Sequence, residues 1–276
     1  MGAELLTAIL ETRAVIVIEG EDWRSFLQGL VTQDVETLRP GEIRFGALLT
    51  PQGRLQFDLF IIGRAHACLI DCAARHRESL IGRLGLYRLR AKVQIAASAA
   101  EVRALWGSDF APEGWLADPR AEALGFRSYG AVPPQEATPV AESRYDRHRL
   151  SLGVPGSADW EGETTYPIEA NFDLLGGIDF HKGCFVGQET TSRMKRRGNI
   201  KSRMAPIVFA GAPPVRGSEL LAGALRAGET LSGFDGEAMA LLRLDRLEAG
   251  PRSLIDGRAW APRLPSWISD IPSVKS

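Results

Sequence analysis

Between Tyr166 and Arg203 the chain collects most of the residue types that can do chemistry, in the run YPIEANFDLLGGIDFHKGCFVGQETTSRMKRRGNIKSR. The most reactive of them is the thiol of Cys184. It follows Gly183, which lets a backbone or a ligand approach closely, and it comes two residues after Lys182. The pattern predicts a helix from about Cys184 to Lys195. Helix N-termini leave N–H groups unpaired and carry partial positive charge. A cysteine there, beside an ammonium, would have its thiolate favoured, so Cys184 and Lys182 form the candidate catalytic pair. A lone cysteine between glycine and phenylalanine also fits a small buried hydrophobe, and the residues alone are compatible with both readings.

The eight residues from Lys182 to Glu189, KGCFVGQE, resemble the K-G-C-[FY]-x-G-Q-E signature of the YgfZ-type folate-binding proteins, with every fixed position present. That family is related in fold to the T-protein, the aminomethyltransferase of the glycine cleavage system, and the resemblance extends more loosely over nearly the whole chain. It implies an accessory protein of iron–sulfur cluster biogenesis that uses tetrahydrofolate. The implied partners are folate and Fe–S assembly proteins or client enzymes, with indirect effects on tRNA modification.

The same resemblance implies a pterin site. A pterin edge presents adjacent N–H donors, which one buried carboxylate can accept in a forked geometry. Glu169 in YPIEANFDLLGG occupies the place of a T-protein glutamate with that task, and Asn171 stands beside it. Asp58 lies on a predicted hairpin that borders the pocket in those relatives. Gly187, Gln188 and Arg193 complete the expected folate contacts. T-protein catalysis relies on an aspartate after a strand, in an N-A-x-D-like context. Here the corresponding stretch is LIDCAARHRES, whose Asp71 and Glu78 do not sit in that motif. Aminomethyl transfer is therefore the alternative reading, and the chemistry is expected to have moved from a carboxylate to a thiol. A single cysteine cannot hold an Fe–S cluster, which takes about four ligands. No metal site of the protein's own is expected, because Cys68 and Cys72 lack a second pair or a histidine set.

From Thr190 to Ser218 there is no Asp or Glu, while Arg193, Lys195, Arg196, Arg197, Lys201 and Arg203 fall within it. On a chain of formal net charge −1 this is a local positive field. It fits a solvated helix end. It also fits a weak polyanion or tRNA contact through Arg193–Arg203, or a polyglutamyl tail of folate.

These residues need a scaffold. The 276 residues suffice for two or three cores, and no apolar run is long enough to span a bilayer. Three cysteines and an acidic N-terminus without a basic n-region lead to the expectation of a reducing cytoplasm. Ala14 to Ile18 reads as a strand, and Trp23, Phe26, Leu27, Leu30 and Val31 as one helix face. A hairpin is expected from Phe45 to Ile62 across Pro51-Gln52-Gly53, then a strand over Ala67–Cys72 and a helix over 74–89. Strands at 93–97 and 102–106 and a helix at 142–152 follow, with loops at 107–119 and 132–139. Short strands separated by Gly-rich turns close the chain, and the tail after Trp260 is expected to be partly loose. The fold class is α+β: a T-protein-like folate-binding region with ferredoxin-like units over residues 1–198, then a C-terminal β-barrel over 199–276.

Overall fold

Val- and Ile-rich alternation, tight Gly turns and short helices organise the computed structural model, which describes residues 4–160, 162–198 and 200–268. In chain order the first unit runs β1 (Leu6–Ile9), β2 (Arg13–Glu19), α1 (Trp23–Gln28), β3 (Ile43–Leu49), β4 (Leu55–Gly63), β5 (Ala67–Ala73), α2 (Arg77–Arg88) and β6 (Gln94–Ser98). Five of these strands form a sheet in the order β3-β4-β5-β2-β6, every neighbour antiparallel. Taken as β2-α1-β4-β5-α2-β6, it is a ferredoxin-like unit with β3 added at one edge. Trp23, Phe26 and Leu27 of α1 and Leu80 and Leu84 of α2 bury one face of this sheet, together with Cys68, Ile70 and Cys72. Three- and four-residue spacing on the helices and two-residue spacing on β5 put these side chains on facing surfaces.

The second unit continues with β7 (Val102–Trp106), β8 (Leu116–Ala117), β9 (Phe126–Tyr129), β10 (Thr138–Pro139) and α3 (Glu142–Ser151). Its sheet has the order β10-β1-β7-β9-β8, so the N-terminal strand β1 joins it rather than the sheet of β2. Here the structure differs from the sequence reading, which gave β1 and β9 no strand and took the segments containing β8 and β10 as loop. The FRSY run of β9 buries Arg127 and Ser128, so its inward positions do not look apolar.

After α4 (Gln188–Arg197) come β11 (Ser202–Phe209), β12 (Glu219–Ala222), β13 (Leu225–Phe234), β14 (Glu237–Arg243), β15 (Arg252–Leu254) and β16 (Trp260–Pro262). They pair in the order β15-β12-β13-β14-β11-β16, and a Ser253–Ala259 bridge nearly closes the barrel. The first residues beyond Trp260 are packed. Ile268 is buried, and the Trp267 indole donates to the Leu152 carbonyl at 3.0 Å. Residues 269–276 lie outside the described residues. The two modules share one core. Phe45 and Phe60 of the hairpin meet Ile168, Phe172 and Phe185 of the central stretch and Met204 and Met239 of the barrel.

Candidate functional site

The segment that carries Cys184 is laid against the exit of α1. Thr32 Oγ1 donates to the Gly177 carbonyl at 2.7 Å and Gln33 Nε2 to the Gly176 carbonyl at 2.6 Å. The Asp179 N–H donates to Thr32 O at 2.9 Å. Asp179 Oδ1 then accepts the N–H groups of His181 and Lys182, turning the chain. The Lys182 ammonium donates to the carbonyls of Gln28, Val31 and Gln33 at 2.7, 2.7 and 2.8 Å. Its three donors are thereby spent. Burial lowers the Lys182 pKa to about 8, against the opposing pull of Asp34, Asp179 and Glu36. Lys182 thus has no donor left for a hydrogen bond to the thiol.

Helix α4 begins at Gln188, four residues after Cys184, so the thiol does not sit at a helix start. The cause is Gly187, whose φ of +80° is left-handed and ends the loop before the helix can form. Gly187 also faces the hairpin turn: a Cβ there would stand 2.6 Å from Thr50 O and 2.9 Å from the Gly53 Cα. Gly187→Ala is expected to destabilise the fold by about 1–3 kcal/mol through strain and this clash, measured as a fall in the urea midpoint. An unchanged midpoint would show that the turn yields.

Cys184 is exposed, whereas Cys68 and Cys72 are buried. Burial pushes both inner thiols up to about 12. Phe185, the next residue, is buried in the shared core and fixes the far side of the thiol. Beside this segment an open groove of about 640 Å³ runs along α4, lined by Phe180, His181, Gln188, Glu189, Ser192, Lys195 and Arg196. Of the expected folate contacts, Gln188 lies in this groove. Arg193 is exposed on the same helix and is not part of the lining.

Glu169 and Asn171 sit where the central stretch meets the barrel. Glu169 is half-buried; its Oε2 accepts the Tyr166 N–H at 2.9 Å, and its carbonyl accepts the Met204 N–H at 2.7 Å. Burial raises the Glu169 carboxyl above its ordinary range, although Tyr166 and Arg54 oppose the shift. Oε1 has no partner among the described residues. The Arg54 guanidinium lies 3.6 Å from the centre of the Tyr166 ring, so a cation and an aromatic plane adjoin this carboxylate. Asn171 is different. It is fully buried with φ +62°, its Nδ2 donates to Met204 O at 2.7 Å, and its Oδ1 accepts from Arg203 at 3.1 Å. Each end of the amide is engaged inside the fold, and the side chain is fully buried. Asparagine tolerates the left-handed conformation, and that explains its place here.

Arg203 drops out of the basic run expected to meet a polyanion. Its side chain is fully buried, with a bidentate pair of 3.0 Å contacts to Asp173 and a bond to Ile168 O. It ties the central stretch to β11 and is closed to any polyanion. Lys195 also reaches Asp173, at 3.5 Å. Arg193, Arg196, Arg197 and Lys201 remain exposed.

Asp58 belongs to a buried charge network that the sequence did not disclose. Arg13 donates to Asp58 at 2.5 Å and to Asp71 at 2.6 Å. Arg127 donates to Asp71 at 2.6 Å and approaches Asp118 at 3.5 Å, and Arg120 pairs with Asp118 at 2.8 Å. The Tyr129 hydroxyl donates to Asp71 at 3.0 Å. Burial alone would push Asp71 and Asp118 upward, yet the guanidinium groups hold both below the usual carboxylate range. A cavity of about 90 Å³ opens on the network, lined in part by Arg13, Asp58, Phe60, Arg120, Arg127 and Tyr145. The predicted contacts therefore do not share one lining. Asp58 faces this small cavity, Gln188 faces the α4 groove, and Glu169, Asn171 and Gly187 line neither.

Comparison with known proteins bears on the whole arrangement. Residues 201–270 match the family described as CAF17, C-terminal beta-barrel domain. The iron–sulfur cluster assembly factor IBA57 homolog of Mycosarcoma maydis, named as mitochondrial, is 31% identical over 73% of this chain and 57% of its own. Its namesake in Phaeosphaeria nodorum is 36% identical over 73% of this chain and 55% of its own. The chain thus spans a little over half the length of these curated relatives. The crystal structure of glycine cleavage system aminomethyltransferase T from Bartonella henselae superposes with a TM-score of 0.76, covering 98% of this chain and 88% of that one at 17% identity. At that identity the likeness shows the fold, and the aminomethyltransferase-like fold with a C-terminal barrel holds as expected. The cytoplasmic expectation is corrected, because the curated relatives are named as mitochondrial. Low cysteine usage does not tell one reducing compartment from another.

Proposed function

We propose that this chain supports iron–sulfur cluster assembly by presenting Cys184 as its reacting thiol, with tetrahydrofolate bound near Glu169. The exposure of Cys184 between two anchored neighbours carries the first half, since the other two thiols are buried with raised pKa values. Relatives named as Fe–S cluster assembly factors support that role. One thiolate supplies one of about four ligands, so the remaining ligands of any cluster handled here come from a partner. An effect on tRNA modification would follow through Fe–S enzymes rather than through direct contact.

The folate half rests on Glu169. Its open oxygen, the neighbouring Tyr166 ring and Arg54 suit a flat donor-bearing ring with an anionic tail. The exposed cations of α4 suit a polyglutamyl extension. Tetrahydrofolate, when bound, would supply one-carbon or reducing chemistry; the chain's part is to bind and orient it. Glu169→Gln replaces one acceptor oxygen with a donor. It is expected to weaken tetrahydrofolate binding by at least about 1.5 kcal/mol, roughly tenfold, in calorimetric titration. Equal affinity in the parent and the variant would remove Glu169 from the site.

A further inference from the structure

We infer that Lys182 is a positioning residue for Cys184, its ammonium locking the thiol-bearing segment onto the exit of α1. The purpose of the lock rests on reading Cys184 as the reacting thiol; its geometry does not. The ties between the two segments run in order along the chain. Gly176, Gly177 and Asp179 are held by Gln33 and Thr32. Past Asp179 the next side chain to cross over is Lys182, and past Cys184 the next anchor is the buried ring of Phe185. The thiol is therefore exposed on a short span between two fixed points. Removal of the first would leave the stretch from residue 180 to 184 held by the Asp179 turn and by Phe185, with no side chain crossing to the exit of α1.

The chemistry of the cradle selects lysine. Three backbone carbonyls from a single turn converge on one nitrogen at 2.7 to 2.8 Å. A compact ammonium directs three donors outward from one atom, whereas a guanidinium spreads its donors along a planar fork. Gln28 is the last residue of α1, whose final carbonyls lack partners inside the helix. Without Lys182 these oxygens would have to find other donors, and the Cys184 segment would lose its tie to the turn.

The test places a nitroxide on Cys184 through a methanethiosulfonate reagent, because the other two cysteines are buried. In Lys182→Ala the label is expected to gain a fast-moving component. Amide exchange over residues 180–184 should accelerate at least about tenfold while the sheets keep their protection. Propylammonium should refill the cradle and restore both signals. Tetramethylammonium, of equal charge but without N–H donors, should not. Lys182→Gln keeps two donors and should fall between, which preserves the test if the alanine variant folds poorly. Label motion and exchange unchanged in Lys182→Ala would overturn the inference. So would a loss of protection spread over the whole protein that propylammonium does not reverse. Neither readout depends on cluster chemistry, so a failed role for the thiol would show separately, as full function in Cys184→Ser.

Discussion

Replacing Arg127 with methionine is expected to destabilise the protein by about 3–5 kcal/mol, the range for removing one partner of a buried ion pair. Arg127 is almost wholly enclosed and is bound to Asp71, Asp118 and the Tyr129 hydroxyl. Methionine fills much of the same volume but leaves Asp71 with Arg13 as its cation and the Tyr129 hydroxyl as its other donor. For a chain of this size the melting temperature should fall on the order of 10 °C. The acid limb of the stability curve should change as well. Arg13 and Arg127 hold the Asp71 carboxyl below its ordinary value against the cost of burial. A carboxyl lowered in the folded state contributes stability that is present above its unfolded pKa of about 3.9 and is lost as pH falls through the folded value. The variant should therefore lose less on acidification than the parent. Urea unfolding at neutral pH and below pH 4 measures both effects. A double variant that also replaces Asp71 with leucine should recover part of the loss, because it removes the stranded charge. A cost below about 1 kcal/mol for Arg127→Met would mean that Arg13 and water carry the network without it.

What could be read ahead of the structure followed from periodicity and turns. The hairpin around Gly53, helices α2 and α3, and strands β11 to β14 announce themselves by alternation, helical spacing or Gly turns. The network around Asp71 did not. Its members come from β2, β4, β5, β9, α3 and the loop at Asp118, and each charge alone reads as a solvated residue. Only tertiary pairing makes their burial tolerable. Arg203 was placed with an exposed basic run because its partner, Asp173, lies thirty residues earlier. Lys182 was read as an activator of its neighbour, yet its bonds reach carbonyls about 150 residues away. The start of α4 was placed too early because a left-handed glycine leaves no pattern beyond its own letter. The signature KGCFVGQE thus marked the right segment. Within it, Lys182, Phe185 and Gly187 act as anchors, which leaves Cys184 as the exposed group for chemistry.

In the folded protein, Cys184 is expected to be alkylated by iodoacetamide at least about a thousandfold faster than Cys68 or Cys72. The inner thiols have pKa values near 12, so at pH 8 about one molecule in ten thousand carries either thiolate, and the reagent must also wait for local opening. Cys184 faces solvent and needs no opening. Mass spectrometry of tryptic peptides during labelling gives the three rates. Cys184→Ser is an exposed change of small volume and should alter stability by no more than about 0.5 kcal/mol. Cys72→Ser should cost about 1–3 kcal/mol, because it buries a hydroxyl in an apolar sheet core. The functional effect should run the other way. In cells lacking this gene, Cys72→Ser should restore Fe–S enzyme activity wherever it folds, and Cys184→Ser should not, despite its native stability. Full restoration by Cys184→Ser would show that the thiol is not the reacting group. The proposed role would then have to rest on folate binding near Glu169, since no other exposed nucleophile stands between the Lys182 lock and α4.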